Sequence, residues 1–122
     1  MNEELQTEIG NEEAISLKPL AVVIKEVNVE EVGEKKAKKA IFSCQHPDSE
    51  TLIKISAVKW ESKGKLEVTG LWVNLDSKKL IRKGSALANF LQSNGAKSIG
   101  GMVGKSINTV LDEKNYLAFK AY

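Results

Sequence analysis

The sequence is poor in the residues that build covalent, metal-bound or catalytic sites. Cys44 and His46 are the only cysteine and the only histidine among its 122 residues. One cysteine excludes an intrachain disulfide. With one histidine beside it, a four-ligand zinc site of Cys and His and an iron–sulfur cluster held by this chain alone are excluded as well. The longest uninterrupted apolar run, residues 20–24, falls far short of the roughly 20 residues that a helical membrane span needs. The Met1 end has neither the basic stretch nor the apolar core of a secretion signal, so the expected setting is the reducing cytoplasm. Proline occurs twice and arginine once, as Arg82. With 42% hydrophobic and 28% charged residues, the composition is that of one ordinary globular domain. A chain of this length buries roughly two thirds of its unfolded surface and needs no staple.

What the chain has in quantity is lysine, unevenly placed. The formal net charge is only +2, yet the first 13 residues hold Glu3, Glu4, Glu8, Glu12 and Glu13 and no basic side chain. The remainder sets 18 basic against 11 acidic side chains, a balance of +7. A basic body behind an acidic arm suits a domain that binds nucleic acid, because the arm can screen the basic surface through space. A solvated, structureless terminus explains the same glutamates. Residues 1–15 are read as an acidic flexible tail and residues 16–122 as a single domain. Because nearly every cation is lysine, a polyanion would be gripped by its phosphates and not read by its bases, a task that leans on bidentate arginine.

Along the body, residues 20–32 are rich in β-branched side chains and read as a strand long enough to curve round a barrel. A polar loop at residues 33–39, a strand at 40–45, the turn signal His46-Pro47-Asp48-Ser49 and a strand at 51–60 follow. Residues 65–75 form a fourth run in which Leu66 and Val68 share one parity and Leu71, Val73 and Leu75 the other, with Gly70 at the change. A glycine there suggests a bulge or a bend at a barrel corner. Ser85 caps a helix over residues 85–93, with Leu87, Phe90 and Leu91 at i, i+3 and i+4, and Asn94-Gly95 ends it. A short turn at residues 98–103 leads into a terminal hairpin around residues 112–115.

The fold class is therefore mainly β with one helix, a small antiparallel β-barrel that is OB-fold-like, although one strand too many precedes the helix. The segment Gly84-Ser-Ala-Leu-Ala-Asn-Phe-Leu-Gln-Ser-Asn-Gly95, followed by Met102-Val-Gly-Lys105 and the last hairpin, resembles the small OB-fold-like proteins of phages and archaeal mobile elements. The resemblance covers about 40 C-terminal residues. It implies the barrel and a role in binding single-stranded nucleic acid.

Motifs for chemistry are few. Gly104-Lys105-Ser106 ends like a phosphate-binding loop, but Ile99 stands where that loop needs its first glycine, and neither a preceding buried strand nor a long following helix is expected. Cys44 and His46 share a parity on one strand, the spacing of an activated thiolate, with no third group to orient them; a buried thiol beside an exposed imidazole is the plainer reading. No general acid–base pair stands out, so the expectation is a protein that is not an enzyme and needs neither cofactor nor metal.

The remaining signal is lysine interleaved with aromatics. Lys54, Lys59, Trp60, Lys63, Lys65 and Trp72 fall on one predicted hairpin, the ingredients of a stacking platform in an electrostatic groove, although a tryptophan in so small a domain is more often core than platform. Tyr116 and Tyr122 are second-rank stacking candidates. Lys36, Lys38 and Lys39 in the first loop, and Arg82 in a second basic stretch, are candidate phosphate contacts. Two functions follow. One is a single-stranded DNA- or RNA-binding protein that uses these lysines for phosphate and tryptophan for base stacking. The other is a protein-interaction or structural module with no nucleic-acid role, engaging a protein partner through the acidic tail or a strand edge. No membrane partner is expected.

Overall fold

The computed structural model of the chain describes residues 17–34 and 37–122. The acidic tail, residues 1–15, lies outside the described residues, as does Lys36. The elements in order are β1 (Val22–Val32), β2 (Ala37–Gln45), β3 (Ile53–Ile55), β4 (Ala57–Ser62), β5 (Lys65–Gly70), α1 (Ala86–Ser93), β6 (Ser106–Ile107), β7 (Thr109–Leu111) and β8 (Leu117–Ala121). They form two four-stranded sheets, β3-β2-β1-β6 and β5-β4-β8-β7. Only Ser56 separates β3 from β4 and only Asn108 separates β6 from β7, so each pair is one strand bent from one sheet into the other. The two bends close the sheets into a mainly β, OB-fold-like barrel, as expected. All pairings are antiparallel except β4 with β8, which is parallel.

The first loop is shorter than the sequence suggests. Residues 37–39 belong to β2, because Val32 pairs with Ala37, Glu31 with Lys38 and Glu30 with Lys39, and cross-strand opposite charges favour that register. Of the lysines expected on a loop tip, Lys38 and Lys39 therefore lie on a strand. The single strand expected at residues 51–60 is interrupted at Ser56 and runs on to Ser62.

The extra strand before the helix has a structural purpose. After the pair Phe42 and Ile55, β2 and the β3–β4 strand splay apart, and residues 65–73 fill the wedge, pairing with β4 as far as Gly70 and with β2 beyond it. Leu71 stands at the split. Its N–H donates to the Ser56 carbonyl at 2.8 Å, its carbonyl accepts from the Ala40 N–H at 2.8 Å, and its side chain is fully buried. The Val73 N–H then donates to the Lys38 carbonyl at 2.8 Å. Gly70 is thus the expected corner: the Trp72 N–H turns back to the Gly70 carbonyl at 2.9 Å, a tight turn about Leu71. Leu66 and Val68 face outward before it, and Leu71 and Val73 face inward after it.

The helix forms where the sequence puts it. The Ser85 side chain accepts from the Ala88 N–H at 3.2 Å, and Gly95 takes a left-handed φ of +69° just past the end. Its inward stripe of Leu87, Phe90 and Leu91 plugs the barrel. Phe90 stacks on Phe119 of β8 at 4.7 Å between centroids, and both meet Phe42 of β2 edge-on at 5.7 and 5.5 Å. All three rings are fully buried. Phe90→Ala should therefore destabilise the domain by about 3–5 kcal/mol, read as a lower urea midpoint; a loss below about 1 kcal/mol would show that the helix does not anchor the core.

Candidate nucleic-acid interface

Alternation along the strands sorts the candidate residues by face. Ala40 and Phe42 of β2 point inward, so Lys39 points outward. Trp72, bridged to Lys39, shares that outer face. Gly70 makes room for its indole, since a Cβ on Gly70 would sit 2.7 Å from the indole Nε1 and 3.1 Å from Lys39 Cε. The Lys39 ammonium lies 5.0 Å from the centre of the Trp72 ring, a cation–π contact that holds the half-exposed indole against the wall.

On the adjoining sheet, Val58 of β4 and Phe119 of β8 are inward partners, which turns the next pair, Lys59 and Lys120, outward side by side. The Lys120 ammonium lies 5.0 Å from the centre of the Tyr122 ring. Leu66 and Val68 of β5 are exposed on the same outer face, Val68 directly opposite Lys59. This outer strip therefore carries Lys39, Trp72, Lys59, Lys120 and Tyr122, together with the exposed Glu61, which has the parity of Lys59 and sits opposite Leu66.

The other candidates lie elsewhere. Trp60 has the parity of Val58 and packs against the core, its Nε1 donating to Thr69 Oγ1 at 3.0 Å, so the two indoles occupy opposite faces of the wall. Lys38 has the inner parity and faces Glu31 across the strands; Lys39 faces Glu30. Lys54 is exposed on β3 opposite Ser43, on the outer face of the same sheet as Lys39. Lys63 and Lys65 are exposed at the β4–β5 turn. Arg82 is exposed, its Nη2 donating to the Leu75 carbonyl at 3.3 Å. Lys120 was missed from the sequence because its neighbour comes from a parallel pairing 61 residues away. The available signal was the parity that separates Lys120 and Tyr122 from Phe119.

Beside the strip, an open cleft of about 510 Å³ lies between Lys59, Leu66 and Val68 and the turn that carries Asp112, Glu113 and Lys114, with Glu67 also lining it. Its three carboxylates make the cleft itself a poor place for phosphate. The Asp112 carboxylate is engaged in the turn, with Oδ1 accepting from the N–H groups of Lys114 at 2.8 Å and Tyr116 at 2.9 Å.

Cys44 and His46 are both built into the fold. The thiol is buried and donates to the Phe42 carbonyl at 3.5 Å; burial pushes its pKa up to about 12, opposite to the shift that activates a thiolate. His46, expected at the surface, is fully buried. Its Nδ1 accepts from the Asp48 N–H at 3.0 Å, which leaves Nε2–H to donate to the Lys18 carbonyl at 2.7 Å. The imidazole ties the chain entering β1 to the turn after β2. Among the described residues, no group of three His, Cys, Asp or Glu side chains is placed to hold a metal ion, and no helix is long and apolar enough to cross a membrane.

Set against known proteins, the chain matches no family model, no curated protein and no solved structure. The functional reading rests on the geometry. For Cys44 that geometry predicts no reaction with a thiol-selective alkylating reagent at pH 8 in the folded protein, and full labelling once it is unfolded in guanidinium. Labelling of the folded protein at the rate of a free thiol would contradict the buried placement.

Proposed function

We propose that the chain is a non-enzymatic single-stranded nucleic-acid-binding protein whose ligand crosses the outer wall of the barrel over Trp72, Lys59 and Lys120. The observation that carries this reading is the pairing of Lys59 with Lys120. Like charges directly opposite on neighbouring strands are destabilising, and an anion lying across them removes the cost. Trp72 on the same face supplies a sequence-tolerant stacking surface, with Lys39 beside it and Tyr122 beside Lys120. Strand faces are also where OB-folds bind oligonucleotides, so an OB-fold-like barrel favours the assignment by analogy. The single strand is favoured over the duplex because only unpaired bases offer a free face to the indole.

The test is fluorescence anisotropy with a labelled mixed single strand of about 20 nucleotides, at two salt concentrations, against the matching duplex. Binding should weaken steeply with salt and favour the single strand. Trp72→Ala should cost about 1–3 kcal/mol of affinity. Replacing Lys59 and Lys120 together by Gln should flatten the salt dependence by about two counterions. Trp60→Phe, on the inner face, should leave affinity unchanged. Deleting residues 1–14 should tighten binding at low salt if the glutamates compete for the lysines. No binding at low salt, with or without those residues, would overturn the proposal.

The second reading, a module that binds a protein partner, is favoured by apolar surface. Leu66 and Val68 are exposed on the wall, and an apolar groove of about 760 Å³ runs between Leu80 and Ile81 on one side and Leu91 and Ile99 on the other. Failure of the oligonucleotide titration would make this the working function.

A further inference from the structure

β1 runs for eleven residues, yet only its start is paired on both sides. On one side β2 follows it from Val23 to Val32. On the other, β6 pairs with Val22 and Val23 alone, and Gly104 and Lys105 add bonds to Ile24. From Glu26 to Val32 the second edge makes no backbone hydrogen bond to any described residue. The matching edge of β2 is filled by β3 and residues 71–73, which leaves β1 as the open side of the wall. Seven residues of unpaired edge form a template for another strand. Its guards are a register shift between Ile24 and Glu26 and the carboxylates of Glu26, Glu30 and Glu31; no proline or lysine interrupts residues 26–32, and Val29 and Val32 are 48% and 40% exposed.

The residues on this edge specify their partner. When an antiparallel strand meets its own copy around a two-fold axis, opposed residues share a face, so the axis passes through a residue. An axis at Asn28 sets Glu26 against Glu30 of the copy, twice, and an axis at Glu30 sets that carboxylate against itself. An axis at Val27 gives a much shorter pairing, because Gly104 and Lys105 already occupy the edge of Ile24, which would have to meet Glu30. An axis at Val29 engages all seven free residues: Val29 meets Val29, Asn28 meets Glu30, Val27 meets Glu31 and Glu26 meets Val32. No like charges are opposed, and the Asn28 amide can donate to the Glu30 carboxylate of the copy. Lys39 and Lys38 stand behind Glu30 and Glu31 in β2, which limits repulsion between the two acidic edges.

We infer that the free edge of β1 pairs antiparallel with β1 of a second copy of this chain, about a two-fold axis at Val29. The dimer joins the β3-β2-β1-β6 sheets of two barrels into one continuous sheet. One strand pair is a small interface, so the dimer assembles in the micromolar range and exchanges readily. The inference does not rest on the nucleic-acid reading: the two share only Lys39, which pairs with Glu30, and the test below leaves Lys39 unaltered.

The full chain is tested by sedimentation equilibrium from about 1 to 500 μM, without nucleic acid. A monomer–dimer equilibrium is expected. Val29→Glu, at a half-exposed site, should keep the circular dichroism and melting of the parent while raising the dissociation constant about tenfold or more. Val29→Cys should form a disulfide-linked dimer under mild oxidation and Val27→Cys and Asn28→Cys should not, because only the residue on the axis meets itself. Cys44 is buried and does not compete. A monomer throughout the range, a dimer indifferent to Val29→Glu, or cross-linking at Asn28→Cys or Val27→Cys in preference to Val29→Cys would overturn the inference.

Discussion

Two backbone hydrogen bonds at Leu71, one to Ser56 and one from Ala40, decide the shape of the wall. Without them β2 and β4 would diverge from Ser56 onward with their edges bare, and the buried amides and carbonyls along the gap would lack partners. The extra strand solves this by changing partners midway, from β4 to β2, at Gly70, where a side chain would strike Trp72. Leu71 then seals the split from within, and the three-phenylalanine cluster fills the space behind it.

That change of partner also arranges the outer surface. With Leu71 and Val73 buried on either side of it and its backbone bridged to Lys39, Trp72 faces out, where Lys39 meets its ring. The parallel pairing of β4 with β8 does the same for Lys59 and Lys120, whose inward neighbours Val58 and Phe119 are core residues. The strip is therefore a by-product of core packing in its geometry, but not in its chemistry. Nothing in the core requires two lysines side by side or an indole on the wall.

Much of the fold was legible because its signals are local. The β-branched run in β1, the Ser85 cap with Leu87, Phe90 and Leu91 behind it, and the Asn94-Gly95 stop each carry their own evidence within a few residues. Gly70 was legible as a corner from the parity of its neighbours, though not as the place where one strand serves two partners. The site was legible only in part. Trp72, Lys39 and Lys59 were identified by composition, but Trp60 carries the same local signature and faces inward, because Thr69 offers its indole a hydrogen-bond acceptor there. Lys120 gains its meaning only from Lys59, and that neighbour is set by sheet topology. His46 illustrates the same limit: two backbone groups, one distant in sequence, turn a surface-like residue into a buried tie.

The seam at Leu71 is tested most directly by amide hydrogen exchange in the native protein, comparing Leu71, Ala40 and Val73 with Phe42 in the core. If the seam closes the wall, all four amides exchange only through global unfolding and report one opening free energy. Exchange of Leu71 and Ala40 at the pace of turn amides such as Lys79, while Phe42 stays protected, would show that the wall opens at the split and that Trp72 is not held in place by the fold.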